Sequence, residues 1–362
     1  MVKTIVKKVY LLYLQKRWKI KGGGSTLLAN AFLKDYKNYS PIKTFIIHRH
    51  GFTVPDWTFL NLDKDNYREY LSNIKYCGMH PINGRFSAWI DDKLTLKYLC
   101  SGTELDVYMP EYYFQINEAG RILPLMDFKT DKSTATAEDV ANLLREKSEL
   151  AIKLIAGSIG DGFYKAEYKS GEFLLNGIVF SEADFCKRIG DLRNYLIIEY
   201  LHPHEELARF CPYTVNCIRY LLGRINGHMV MLRGFIRFGT KTSGFVENYN
   251  AGGVLCYLDD NGHFSGGNVI DNKTGKNTMI SKHPDNGEEL AGQIPFWSKM
   301  VEAGRKLDHH FPQMDYLGID FVITSKNQVK VLEINSLTSM DSLQLDGSIL
   351  NTPNGCFYKE RM

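Results

Sequence analysis

A glycine-rich loop with strands on both sides limits what this 362-residue chain can fold into more than any other feature. Residues 149–155 (ELAIKLI) form an apolar strand that ends in Gly157-Ser158-Ile159-Gly160-Asp161-Gly162. Phe163 to Tyr168 and Glu172 to Leu175 then alternate around a Lys169-Ser170-Gly171 turn, which is a hairpin pattern. In P-loop and dinucleotide folds the glycine loop opens into a helix N-terminus. Here it opens into an alternating strand, which argues against both folds and suggests a flexible flap. Glycines let backbone N–H groups come close to phosphate and let such a flap close. Lys153 sits in the apolar strand just before the loop, where a charge is costly without a partner. A phosphate would be that partner; the plainer alternative is a lysine on the solvated face of an edge strand.

The last hairpin is as informative. Its strands are 319–324 (IDFVIT) and 329–335 (VKVLEIN), around Lys326-Asn327. With that pair as a two-residue loop, Ser325 faces Gln328 and Asp320 faces Glu333. Asn335 shares their face by the two-residue period of a strand. Two carboxylates ~5 Å apart repel by roughly 3 kcal/mol at an effective dielectric near 20. A magnesium ion, which takes oxygen ligands and shares itself with phosphates, would compensate the pair. The alternatives are neutralisation by lysines or exposure to solvent, and the apolar neighbours Ile319, Phe321, Val331 and Leu332 argue against exposure.

Between these landmarks, residues 91–100, 138–148, 181–190 and about 296–308 read as helices. Residues 195–201 read as a buried strand, and 214–239 as two long strands joined at Asn226-Gly227. Residues 26 to about 90 mix helical patches with short loops. The class is α+β, with antiparallel sheets and flanking helices.

Composition excludes several alternatives. Of seven cysteines none forms a CxxC pair, which speaks against a disulfide framework or a zinc site. The pairs His48/His50 and His202/His204 lack a third ligand of clear spacing. No apolar run reaches the ~18–20 residues of a membrane span, and no signal-peptide pattern is seen, so the expected location is the cytoplasm. The net charge of +3 conceals +7 on residues 1–21, which contain no acid, and −4 on the rest. That distribution does not suit nucleic acid. The basic segment, with Val6, Val9, Tyr10, Tyr13 and Trp18, reads as a first helix that either packs on the body or touches an anionic membrane surface.

The ordered motifs Asp91-Asp92-Lys93-x3-Lys97, Lys153 with Gly157–Gly162, Ile197-Ile198-Glu199-Tyr200-Leu201, Gly318-Ile319-Asp320 and Leu332-Glu333-Ile334-Asn335 resemble the ATP-grasp superfamily over residues 91–336. A narrower resemblance, to ATP-grasp proteins associated with sugar transfer and surface polysaccharides, rests on Pro212–Arg219, Glu247–Gly253, His283-Pro284 and Ile294-Pro295-x-Trp297. The resemblance implies an N-terminal, mainly helical accessory region (1–90), an N-lobe with the flap (91–197) and a C-lobe with the metal site (198–362). It implies ATP bound by Lys93 (Lys97 as fallback), Lys153, Gly157, Ser158, Gly160 and Gly162, by the hinge Ile198, Glu199, Tyr200 and Leu201, and by Asn248, Gly252 and Gly253. It implies Mg2+ on Asp320, Glu333 and Asn335. D-alanine–D-alanine ligases carry an intermediate-stabilising arginine two residues before the metal aspartate. Gly318 stands there in this chain, so Arg219, Arg233 or Arg237 would take that role, with surface salt bridging the alternative for the last two.

The implied activity is an ADP-forming carboxylate–amine ligation through an acyl-phosphate, joining an amino acid to a sugar acid of a capsule or O-antigen. An amino-acid or peptide ligase without a sugar, and a nucleotide-binding accessory protein of polysaccharide assembly, are the competing readings. The implied partners are small molecules: a carboxylic acid and an amine.

Overall fold

The computed structural model describes residue 16 and residues 23–155, 162–244, 246–271 and 273–362. The expected first helix, apart from Lys16, and the flap residues Gly157, Ser158 and Gly160 lie outside the described residues.

Among the described residues six helices come first: α1 (Gly23–Asn38), α2 (Pro41–Arg49), α3 (Val54–Phe59), α4 (Asn73–Met79), α5 (Ser87–Asp91) and α6 (Lys93–Cys100). Asp92 explains the last boundary: its carboxylate accepts from Thr95 N–H at 2.7 Å and caps α6.

The first sheet follows. Its strands are β1 (Tyr112–Ile116), β2 (Ile122–Pro124), β3 (Glu149–Leu154), β4 (Tyr164–Lys169), β5 (Glu172–Leu175), β6 (Ile178–Phe180) and β7 (Tyr195–Glu199), in the order β2-β1-β7-β3-β4-β5-β6. Ser170 and Gly171, with φ of 55° and 86°, close the β4–β5 hairpin as the turn chemistry demands. Helices α7 (Ala137–Lys147), started by a Thr136–Asp139 capping box, and α8 (Glu182–Gly190), capped by Ser181, cover one face over Phe114, Ile152 and Phe173.

After a short helix α9 (Glu205–Ala208) comes a second antiparallel sheet. It orders β13 (Asn277–Ile280), β12 (Gly267–Ile270), β10 (Val254–Leu258), β9 (His228–Phe238), β8 (Ile218–Ile225), β15 (Tyr316–Ile323) and β16 (Val329–Asn335). Two short strands, β11 (His263–Ser265) and β14 (Ala291–Gln293), pair apart from it. One face, with Ile218, Ile236 and Ile319, packs on α10 (Trp297–His310) and on Leu96 and Cys100 of α6. The other face divides along its strands. Leu221, Phe235, Leu255 and Tyr316 bury against Phe52 and Tyr76 of the helical region and against Phe357 and Tyr358 of α11 (Cys356–Lys359). The remainder of that face opens on the cleft between the two sheets. This mixed architecture is the α+β class read from the sequence.

One hairpin departs from the expected ladder twice. Thr324 pairs with Gln328, so the β15–β16 loop has three residues, with Asn327 at φ 60°. The two-residue loop expected at Lys326-Asn327 is thus corrected. Leu332 is an extra residue opposite Asp320, a β-bulge. The two departures cancel, and Asp320 does face Glu333.

Candidate active site

The cleft has a volume of about 830 Å3. Its first wall is the inner face of the first sheet, built from Tyr112, Leu125, Ala151, Leu196 and Ile198. Lys153 of β3 stands on this wall, half-buried, and no carboxylate among the described residues lies within ion-pair distance of it. Burial, and then the charge of Lys93, push its ammonium down to about 7. β7 ends at Glu199, and Tyr200 and Leu201 continue along the cleft edge. Glu199 accepts from Glu111 N–H at 3.3 Å and sits 3.7 Å from Lys326 of the last hairpin, so it braces the hinge to both neighbours.

The second wall is charged. Asp320 is buried between two arginines: Arg219 donates to it through both Nε and Nη2 (the latter at 2.9 Å), and Arg237 Nη2 adds a third bond at 3.2 Å. Burial alone would raise the Asp320 carboxyl, but the two guanidiniums outweigh it and hold it at about 2. Glu333 pairs with Lys93 Nζ at 2.8 Å and accepts from Asn335 Nδ2 at 3.3 Å. The two carboxylates are therefore compensated by the protein's own cations. Neutralisation by a lysine, one of the alternatives the sequence leaves open beside a metal, is present at Glu333, and two arginines do the same for Asp320.

The register explains how these groups meet. Asp320 is the direct cross-strand partner of both Arg219 and Glu333. Without the Leu332 bulge, Glu333 would follow Val331 onto the face buried against α10. Gly318 is also accounted for: a Cβ there would lie 2.5 Å from Thr338 Oγ1, and that hydroxyl accepts from Arg219 Nη1 at 3.2 Å. The missing side chain makes room for the residue that steadies Arg219. Asp91, at the end of α5, fixes the chain just past Asn335 by accepting from Ser336 N–H at 2.8 Å and its hydroxyl at 2.7 Å.

Several expected residues stand elsewhere. Lys97, one helical turn after Lys93, is buried against Asp106 (3.1 Å) and Asp127 (3.0 Å), a structural lysine. Arg233 lies on the same strand and face as Arg237, yet it pairs with Asp346 and stacks 3.7 Å over the Tyr257 ring, outside the cleft. Its alternative reading as a structural ion pair is the one its contacts match. Asn248 lines the cleft and folds its own loop by accepting from Asn250 N–H, whereas Gly252 and Gly253 lie behind it. Gly252 has φ 100°, and a Cβ on Gly253 would strike the Glu247 carbonyl at 2.5 Å. Gly162 has φ 70° and passes tightly under Tyr195. His283 is buried and bonded to the Gly239 carbonyl at 2.9 Å, away from the cleft.

Other lining residues went unnoticed in the sequence. Asp56 of α3 and Asn73, Tyr76 and Cys77 of α4 bring the helical region into the cleft. Asp56 accepts from Asn73 Nδ2; burial, with Asp341 nearby, raises its carboxyl to about 7. Tyr76 donates to the Thr338 carbonyl at 2.6 Å and so ties this region to the Arg219 network.

The donors suit a hard divalent cation. A carboxylate offers about four lone-pair directions; Asp320 uses three and Glu333 two for the bonds named above. Among the described residues no group of three His, Cys, Asp or Glu side chains forms a metal site, and the third oxygen here belongs to the Asn335 amide. Among those residues no helix is long and apolar enough to cross a membrane.

Two sheets enclosing a cleft of this composition point to the ATP-grasp class. The model of the sugar-transfer associated ATP-grasp family matches residues 71–353, most of the chain, and the protein belongs to that family. No curated protein is similar enough in sequence to count as a relative. Among solved structures, D-alanyl-alanine synthetase A from Vibrio cholerae is 12% identical, with 76% of this chain and 64% of that one covered and a TM-score of 0.43. An N5-carboxyaminoimidazole ribonucleotide synthetase in its ADP complex is 10% identical, covering 70% and 46%, with a TM-score of 0.39. A Chryseobacterium gregarium RiPP-associated ATP-grasp ligase, bound to ADP and leader and core peptides, is 10% identical, covering 83% and 70%, again at 0.39. The chain thus spans just under two thirds of the first and under half of the second.

Proposed function

We propose that the protein is an ATP- and magnesium-dependent carboxylate–amine ligase that works through an acyl-phosphate. The observation that carries this reading is the convergence on one cleft of Lys93, Lys153, the Glu199–Leu201 edge, Arg219, Arg237, Asp320, Glu333 and Asn335. The apolar wall and the hinge backbone would take the base. Lys93 and Lys153 would hold phosphates, Lys153 gaining the counter-charge it lacks. Asp320, Glu333 and an Asn335 amide turned oxygen-inward would hold the magnesium, which supplies neutralisation of charge on the transferred phosphoryl group. Arg219, fixed by Asp320 and Thr338, and Arg237 would stabilise the oxyanion formed when an amine attacks the acyl-phosphate.

The substrates that fit the family setting are a sugar acid and an amino acid of a bacterial surface polysaccharide, joined on the cytoplasmic side of the membrane. Contact of residues 1–21 with that membrane belongs to the same reading. A matrix of sugar acids against amino acids, read as ADP release, tests it. Release that needs both an acid and an amine, and falls away in Glu333→Gln, is expected. ADP release from no combination, with ATP still bound, would favour the accessory-protein alternative.

A further inference from the structure

Residues 1–50 contain eleven lysines and arginines and a single acid, Asp35, leaving a formal −7 on the rest of a chain whose total is +3. Asp35 is buried, where it pairs with His48 at 3.0 Å and accepts from Val54 N–H at 2.7 Å, so its charge does not offset the exposed Lys43 and Arg49 of the following helix. Helix α2 lies inside this segment. Thr44, Ile47 and His48 turn inward, and His48 stacks on Phe32 of α1. The opposite face carries Ile42, Phe45 and Ile46, which are 75%, 56% and 51% exposed. Their spacing puts them on one stripe of the helix. Lys43 and Arg49 are exposed beside them, and the Arg49 guanidinium sits 5.9 Å from the Phe45 ring. The core does not need these apolar side chains, because the helix is anchored by its other face.

We propose that this face of α2 is a docking surface for an anionic lipid bilayer. Large apolar side chains ringed by cations enter the headgroup boundary while the cations meet anionic headgroups. A nucleic-acid surface would present its cations without an apolar centre. A second copy would bring the same strongly basic region against itself, which repels. Helices α3 and α4 follow directly and carry Asp56 and Asn73 into the cleft, so a lipid-linked substrate is the class that docking would favour. Only that corollary rests on the ligase reading; the docking does not.

The test is cosedimentation of the full chain with vesicles of phosphatidylcholine alone or with roughly one third phosphatidylglycerol, at low and moderate salt. Binding to the anionic vesicles is expected, with a roughly tenfold or larger loss of partitioning in the Ile42→Ser/Phe45→Ser/Ile46→Ser variant at unchanged melting temperature. If the triple variant does not fold, Ile42→Ser alone, at the most exposed position, should weaken binding measurably. Lys43→Glu with Arg49→Glu should weaken the salt-sensitive part. Equal binding by parent and variants, or no binding to anionic vesicles, would overturn the proposal. So would a concentration-dependent dimer that disappears in the triple variant, since the face would then be a self-interface. None of these readouts depends on turnover, so failure here leaves the ligase reading standing.

Discussion

The two walls of the cleft handle charge in opposite ways. On the first sheet a single ammonium, Lys153, stands among Tyr112, Ala151, Leu196 and Ile198 with no acid to meet it among the described residues. On the second sheet, Arg219, Arg237, Asp320, Glu333 and the facing Lys93 are already bonded to one another. The first wall holds a charge that is costly until a ligand arrives. The second is a balanced network in which a ligand would rearrange partners. One wall should therefore report on binding with little effect on folding, and the other on both.

Asp320→Asn gives the sharpest break. It leaves two buried guanidiniums facing each other, and removing one partner of a buried pair costs about 3–5 kcal/mol. Turnover should vanish and the melting temperature should fall steeply. The pH dependence follows in sign. The folded carboxyl titrates at about 2, below its unfolded value of roughly 3.9, so its stabilisation is full above about pH 4 and is lost as pH falls through 2. A parent whose melting temperature drops across that window, beside a variant that loses less there, would match. An Asp320→Asn variant that melts like the parent would erase the contrast between the walls.

Gly318→Ala should have a smaller, more selective effect. Its methyl would push Thr338 away from Arg219. A loss in kcat of roughly 10- to 100-fold is expected, with nucleotide KM nearly unchanged, because an electrostatic donor is misplaced and the ATP site is untouched. An equal rise in KM would move Arg219 out of the chemistry and into nucleotide binding.

The smallest change belongs to the apolar wall. Lys153→Met should weaken ATP binding by roughly tenfold, the lower end of the about 1.5–3 kcal/mol that a charged hydrogen bond is worth, and should melt no lower than the parent. In the free protein the Lys153 ammonium loses its proton near 7, whereas the unfolded chain keeps it to about 10, so stability should rise with pH across that window. Phosphate would restore the charge, so ATP binding near pH 8 should take up protons. Calorimetry in buffers of different ionisation enthalpy would reveal it, and the uptake should vanish in Lys153→Met.

Alternating strands and turn chemistry made hairpins of both sheets readable. Asn226-Gly227 and Ser170-Gly171 close hairpins where their positive φ requires. The charged wall was less readable. Arg233 and Arg237 share a strand face and look alike in sequence. Four residues at about 3.3 Å each separate them, and only the packing of Asp346 and Tyr257 shows that Arg233 lies beyond the cleft. Lys93 and Lys97 likewise share a helix face, and Asp106 and Asp127, which claim Lys97, come from later segments. Asp56 and Asn73 carry no motif. They reach the cleft because α3 and α4 pack across the second sheet, a tertiary fact with no local signature.

The three-residue loop and the Leu332 bulge bear on how chains of this kind should be aligned. Parity along a strand decides which side a residue faces, and this hairpin changes parity twice, at the loop and at the bulge. An unbroken ladder from the same loop, with Leu332 paired to Asp320, would turn Glu333 and Asn335 toward α10 while leaving every letter of their motif in place. A gap placed to make the ladder regular would erase the residue that aims the carboxylate. In this hairpin, the count of residues between Gly318 and Asn335 carries as much chemical information as their identities.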